Sequence, residues 1–110
     1  MNLQNFISGI ALLALVPVGS NVLAANAAAG KAIFEKSCVS CHGNDGKGNP
    51  AIAKVLGEKG LNLTAKEATQ KSDQELMKVI AEGEGKMPAF KSLSQDEQKQ
   101  VVTYIRSLGK

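Results

Sequence analysis

The stretch CVSCH, residues 38–42, contains both cysteines and the only histidine of this 110-residue chain. C-x-x-C-H is the pattern for covalent attachment of a c-type haem. Cysteines three positions apart at a helix end project from one face, so both sulfurs can reach the two vinyl groups of one porphyrin. The imidazole of His42 can then bind the iron as the proximal axial ligand. The sequence predicts one haem c, held by thioethers from Cys38 and Cys41.

Three other interpretations of this motif are weaker. A structural zinc site needs four nitrogen or sulfur ligands, and the chain has no further cysteine or histidine. A thioredoxin-like redox pair is typical of a βαβ context, which the flanking sequence lacks. A disulfide between the two cysteines would close a very short loop and add little stability. The haem interpretation is therefore favoured.

The sequence on both sides of the motif is helical in character, and no stretch alternates convincingly with period two. Ser72 and Glu75, and again Ser94 and Glu97, form S-x-x-E patterns that predict capping boxes at two helix starts. The first of these helices ends at Gly83. Three further helical segments are predicted at residues 30–41, 51–56 and 64–69. The domain is predicted to be all-α.

The N-terminal segment differs from the rest of the chain. Residues 6–18 form a thirteen-residue apolar run, which is short for a membrane span but fits the core of a secretory signal. The Ala-Asn-Ala pattern that follows predicts a signal peptide over residues 1–27 and a domain over residues 28–110. Cleavage after residue 24 is an alternative. The first five residues lack Lys and Arg, so an uncleaved anchor stays open as a second interpretation.

The charge balance excludes one class of function. Thirteen Lys and Arg against ten Asp and Glu give a formal net charge of +3. A nucleic-acid-binding protein would show a dense basic stripe, which is absent here.

The domain that remains after signal removal is small and poor in aromatic residues, and domains of this size usually need a disulfide, metal or cofactor. A haem would supply the missing apolar bulk.

From about residue 30 to residue 109 the chain resembles a class I monohaem cytochrome c of the small bacterial or cytochrome c6-like kind. The matching features are CVSCH at the end of the first helix, GKMPAF at residues 85–90 and the closing helix YIRSLGK at residues 104–110. A cytochrome c′ differs, because its haem motif lies near the C-terminus. The resemblance implies an all-α fold of three to five helices wrapped around one covalently attached haem.

The sixth ligand to the iron is predicted to be Met87. Met1 leaves with the signal, and Met77 lies in a helical pattern beside apolar neighbours, which is typical of a core side chain. Met87 lies in a glycine-rich loop, and Pro88 restricts the backbone so that the side chain can be held toward the iron. Lys86 is a rival ligand that would need its pKa lowered by burial.

The resemblance also implies supporting contacts. Gly30 and Phe34 correspond to first-helix positions that pack against an aromatic residue of the last helix, here Tyr104. Pro50 corresponds to a loop proline whose carbonyl accepts a hydrogen bond from the proximal His42. Such a bond would fix the imidazole ring and raise its basicity. The chain has no Trp, so no indole can bind a haem propionate.

The predicted function is one-electron transfer by Fe(III)/Fe(II) cycling, not catalysis, because the single histidine is committed to iron and no free thiol remains. Two alternatives stay open: a haem sensor or peroxidase-like enzyme with a labile Met87, and a haem subunit of a larger oxidoreductase.

The predicted compartment is the periplasm, with the thylakoid lumen second. We expect a monomer without stable membrane insertion. Lys47, Lys86 and Lys91, in loops flanking the haem edge of this fold, predict transient electrostatic docking to acidic redox partners.

Overall fold

A computed structural model describes residues 18–109 of the chain, and these residues form helices joined by loops, without a β-strand. The all-α prediction is confirmed. Six helical segments are described instead of three to five, because α2 and α4 are single turns of four residues. Their bounds are α1 Val18–Ser37, α2 Val39–His42, α3 Pro50–Leu56, α4 Lys66–Thr69, α5 Asp73–Glu82 and α6 Gln95–Leu108.

The main core lies between α1, α5 and α6. Phe34 of α1 has no exposed surface, and Val101 and Val102 of α6 are each 1% exposed. The apolar residues of α5 and α6 recur at helical spacing, so each helix turns one continuous apolar face inward. The buried cluster consists of Phe34, Leu76, Ile80, Val101, Val102 and Ile105.

The first and last long helices are in close backbone contact at Gly30. A Cβ placed on this residue would overlap the backbone carbonyl of Gln100 on α6. One turn further along α1, the ring of Phe34 packs against that of Tyr104, with centroids 5.2 Å apart and planes inclined by 60°. The predicted packing of Gly30 and Phe34 against Tyr104 is confirmed.

The two predicted capping boxes differ in the structure. At the start of α6, the backbone N–H of Glu97 donates to Ser94 Oγ, and the backbone N–H of Ser94 donates to Glu97 Oε1, both at 3.1 Å. At the start of α5, Ser72 Oγ accepts from the N–H of Glu75 at 3.1 Å. The described hydrogen bonds include no return bond from the Glu75 carboxylate. The box is complete only at α6.

Helix α1 begins at Val18, twelve residues before the predicted start, because the alanine-rich stretch before Gly30 has high helix propensity. Both candidate cleavage positions lie within the N-terminal half of this helix. Most of the apolar run in the predicted signal peptide, residues 6–17, lies outside the described residues. None of the described helices is long and apolar enough to cross a membrane.

Candidate haem-binding site

The CVSCH motif lies where α1 gives way to α2. At Cys38 the backbone departs from helical geometry for one residue, with φ −116° and ψ −24°. The helical hydrogen bonds continue across it, because the N–H of Cys38 donates to the carbonyl of Phe34 at 2.8 Å and the N–H of His42 donates to that of Cys38 at 3.0 Å. Cys38 and Cys41 are both half-buried and lie about one helical turn apart.

The surroundings of Cys38 are those of a core side chain. It packs against the buried core cluster, and burial, together with the neighbouring Cys41, raises the pKa of its thiol to about 11. Among residues 18–109, no three His, Cys, Asp or Glu side chains converge as metal ligands do. The two cysteines form no disulfide.

The His42 ring is fixed by a backbone carbonyl. Its Nδ1 lies 2.9 Å from the carbonyl oxygen of Leu61. With Nδ1–H as the donor, Nε2 carries the lone pair that a haem iron would bind. The sequence assigned this acceptor role to Pro50, and the structure corrects the assignment. Pro50 is the first residue of α3, and a carbonyl at that position points along the helix axis toward the amide four residues later.

Two loops hold Leu61 beside His42. The backbone N–H of Gly48 donates to the carbonyl of His42, and the N–H of Leu63 donates to the carbonyl of Gly46, both at 2.7 Å. Gly48 has φ +105°, and a Cβ there would lie 3.2 Å from the Leu61 Cβ. Sequence reasoning missed Leu61, since a residue that contributes only its carbonyl carries no side-chain signal.

Met87 lies at the end of a tight turn. The backbones of Glu84 and Met87 exchange hydrogen bonds of 3.2 and 2.9 Å. Gly85 has φ +56°, and no described residue other than glycine has a positive φ, so the turn is type II′. The Met87 side chain is half-buried and packs against the same core cluster as Cys38. Met77 of α5 also packs there, as expected of a core side chain.

The residues around this site fit a haem. Helices α2 and α3 contain no buried residue, so the chain by itself covers this side of the core incompletely. An imidazole with Nδ1 occupied and a thioether are the axial donors of a haem iron of the His/Met type. A flat apolar ring would cover the half-buried side chains along the edge of the core, which include Cys38, Leu63, Met87, Phe90 and Leu93.

Comparison with known proteins identifies the family. Residues 25–105 match the family described as "Cytochrome C oxidase, cbb3-type, subunit III". The chain is 34% identical over 82 residues to cytochrome c6 of Leptolyngbya boryana, an alignment that covers 74% of this chain and 91% of that protein. The chain belongs to the class I monohaem c-type cytochromes. Cytochrome c6 of Synechocystis sp. is 32% identical over 105 residues, covering 88% of this cytochrome and 82% of its relative.

Another relative is larger. Over 87 residues the cytochrome is 39% identical to the cbb3-type cytochrome c oxidase subunit FixP of Bradyrhizobium sp. (strain ORS 278). The alignment covers 76% of this chain, which spans 28% of the length of FixP. As a member of the c-type cytochromes, the protein binds covalent haem c.

Arg106 of α6 is a further residue whose contacts the sequence did not predict. Its guanidinium donates to the carbonyl oxygens of Ala68, Thr69 and Lys71. It also donates from Nε and Nη2 to the Asp73 carboxylate at 3.1 and 3.0 Å. These contacts tie the connection between α4 and α5 to the last helix. No local pattern indicates them, because the partners lie more than thirty positions away in sequence.

Proposed function

We propose that this cytochrome carries single electrons on a haem held by Cys38 and Cys41, with His42 Nε2 and Met87 Sδ as axial ligands. The observation that carries the proposal is the placement of Cys38 and Met87 against one core cluster. The bond from His42 Nδ1 to a carbonyl supports it, since that bond leaves Nε2 as the ligating atom. The neutral thioether of Met87 favours a high reduction potential.

In this proposal the haem supplies the Fe(III)/Fe(II) couple, and the protein backbone fixes the positions of the two iron-binding side chains. The Leu61 carbonyl orients the His42 ring. The type II′ turn fixes the backbone of Met87 through two hydrogen bonds. Ligands that are held by rigid backbone contacts keep their geometry in both oxidation states, so little reorganisation opposes electron transfer.

The ligand assignment is tested by comparing the Met87→Ala and Met77→Leu variants of the haem-loaded protein. We expect Met87→Ala to lose the weak far-red absorption band of a sulfur ligand on ferric low-spin iron, and its reduction potential to fall. Met77→Leu conserves volume on the same core and is expected to keep both properties. A Met87→Ala variant that retained the band and the potential would contradict the assignment.

The partner surface is supported by the distribution of charge. Residues 36–66 contain five lysines and only two acidic residues, Asp45 and Glu58, whereas the rest of the chain is formally neutral. All five lysines are exposed, and none belongs to a described ion pair. We call this stretch the basic segment; its lysines are Lys36, Lys47, Lys54, Lys59 and Lys66.

The basic segment also contains exposed apolar side chains. Val55 and Leu56 of α3 are 75% and 40% exposed. A mixed cationic and apolar surface suits brief encounters with an acidic protein, because charge raises the association rate while small contact areas permit release. The proposed partners are therefore acidic redox proteins, bound transiently by a monomeric cytochrome.

Charge reversal within the basic segment tests this docking surface. We expect Lys54→Glu with Lys59→Glu to lower the rate of electron transfer to a purified cbb3-type oxidase about tenfold at low salt. Lys78→Glu with Lys99→Glu makes the same change of net charge on α5 and α6 and is the control. The difference between the two variants should shrink at high ionic strength, where the charges are screened. Equal slowing by both pairs would contradict a localised surface.

The proposed compartment is the periplasm, reached by export with removal of residues 1–27. The support is the short apolar run followed by a small-residue cleavage pattern. The mass of the haem-loaded protein from a periplasmic fraction tests it, since cleavage after residue 27 or after residue 24 gives distinct masses. Recovery of the uncleaved chain in the membrane fraction would favour the anchor.

A second candidate follows from the similarity to FixP, a cbb3-type oxidase subunit. In that case the cytochrome would stay bound to a larger oxidoreductase. Size-exclusion chromatography of a native extract, followed at the haem absorption, separates the two. Elution at the mass of a monomer supports the mobile carrier, and co-elution with an oxidase supports the subunit.

A further inference from the structure

Gly83 lies at the end of α5, directly against the loop that carries Met87. Its φ is +77°, in the left-handed region where a side chain is strained. A Cβ at this position would lie 2.5 Å from the Met87 carbonyl oxygen and 3.0 Å from the Ala89 nitrogen. Both neighbours are backbone atoms, so they cannot move away as the tip of a flexible side chain could.

A second contact fixes the same loop to α5. The backbone N–H of Phe90 donates to the carbonyl of Ile80 at 2.9 Å. The Ile80 side chain belongs to the buried core cluster, so this carbonyl is part of the rigid region of the molecule. Residues 84–90 are therefore held at both ends by the last turn of α5, through Gly83 at one end and Ile80 at the other.

We propose that Gly83 is a positioning residue for Met87. Because Gly83 lacks a side chain, the backbone of Met87–Ala89 can pack directly against the end of α5. This contact fixes the distance to which the Met87 thioether extends toward the iron. The inference rests on the proposed ligation of iron by Met87. It differs from ordinary helix termination, for which only the positive φ of the glycine is needed. A close approach of the loop is an additional requirement.

Gly57 provides a matched control for this distinction. It ends α3 with φ +88° and ψ +161°, close to the φ of +77° and ψ of +169° at Gly83, but a Cβ there would meet no atom within 4 Å. Gly57→Ala therefore introduces nearly the same backbone strain without touching the Met87 loop. Gly83→Ala introduces the strain together with the contact on Met87 and Ala89.

The experiment titrates the ferric haem-loaded variants with imidazole, a ligand that competes with the Met87 sulfur for the iron. We expect Gly83→Ala to weaken the far-red sulfur-to-iron band and to raise the apparent affinity for imidazole about tenfold. Gly57→Ala is expected to keep the band and to stay within about twofold of the unmodified protein. Equal affinities in the two variants would overturn the positioning role.

Two further measurements keep the outcomes distinct. If the unmodified protein lacks the far-red band, the proposed ligation of iron by Met87 is wrong. If the unmodified protein has the band and Gly83→Ala leaves it unchanged, only the positioning role of Gly83 is refuted.

If Gly83→Ala does not fold, the double variant with Met87→Ala is compared with Met87→Ala alone. Recovery of a folded double variant would show that the defect acts through the Met87 loop, and continued failure would assign Gly83 to the helix end only.

Discussion

The core between α1, α5 and α6 and the loops beside His42 and Met87 are held together in different ways. In the core, side chains make the contacts: Phe34, Val101 and Val102 are almost fully buried. In the loops, backbone groups make them: the carbonyl of Leu61 binds His42, and the carbonyl of Ile80 binds the loop after Met87. The side chains of these loops are mostly exposed or half-buried.

This difference predicts which substitutions each region tolerates. Side-chain volume matters in the core, since its interior is closely packed. Backbone conformation matters in the loops, where all seven described glycines with positive φ lie, between Gly43 and Gly85. Core variants should therefore change the free energy of unfolding, and loop variants should mainly change the properties of the haem iron.

The largest expected effect is on the core. Phe34→Ala should lower the free energy of unfolding of the haem-loaded protein by about 3–5 kcal/mol, because it leaves a cavity in a fully buried position. Val55→Ala, which is largely exposed on α3, should change it by less than about 0.5 kcal/mol. Guanidinium denaturation followed by circular dichroism measures both. Similar losses of stability in the two variants would contradict the larger contribution of the buried core.

Next in size is the helix crossing. Gly30→Ala should cost about 2–3 kcal/mol, because the new methyl group overlaps the Gln100 carbonyl and forces α1 away from α6. Ala32→Ser, at an exposed position of the same helix, should cost no more than about 0.5 kcal/mol. The same denaturation experiment applies. A neutral Gly30→Ala would mean that the crossing is looser than the structure indicates.

Arg106 ties the connection between α4 and α5 to the last helix, and its removal should have an intermediate effect. Arg106→Leu should cost about 1 kcal/mol, since the guanidinium is partly exposed and its hydrogen bonds compete with water. Arg106→Lys keeps the charge but cannot reproduce the fork of donors, so it should recover only part of the loss. Thermal unfolding compares the three proteins. Full recovery with lysine would indicate that charge alone matters.

The smallest expected effect concerns the iron. Gly48→Ala would press on Leu61 and weaken its bond to His42, which makes the imidazole a poorer donor to Fe(III). We expect the reduction potential to rise by roughly 30 mV, where 59 mV corresponds to a tenfold change for one electron. Gly57→Ala has a similar backbone strain, with φ +88° and no neighbour within 4 Å, and serves as the control. A redox titration that gave the two variants equal potentials would contradict the loop's role.

The features predicted correctly from the sequence are those with a local pattern. The capping box at Ser94 needed only two residues three positions apart, and the all-α fold followed from the helical spacing of apolar residues. The pairing of Phe34 with Tyr104 came from the family resemblance. The acceptor for His42 was assigned to Pro50 and proved to be Leu61, because a backbone carbonyl gives no signal in the identity of its residue.

The sequence by itself determined the chemistry of this protein: CVSCH restricts the site to a c-type haem, because both cysteines and the single histidine lie within residues 38–42. Only the tertiary structure decided how that site is held. Three contacts join residues that are distant along the chain: the Leu61 carbonyl with His42, the Arg106 side chain with the α4–α5 connection, and Gly83 with the Met87 loop. They form only because the packing of the core brings these segments together.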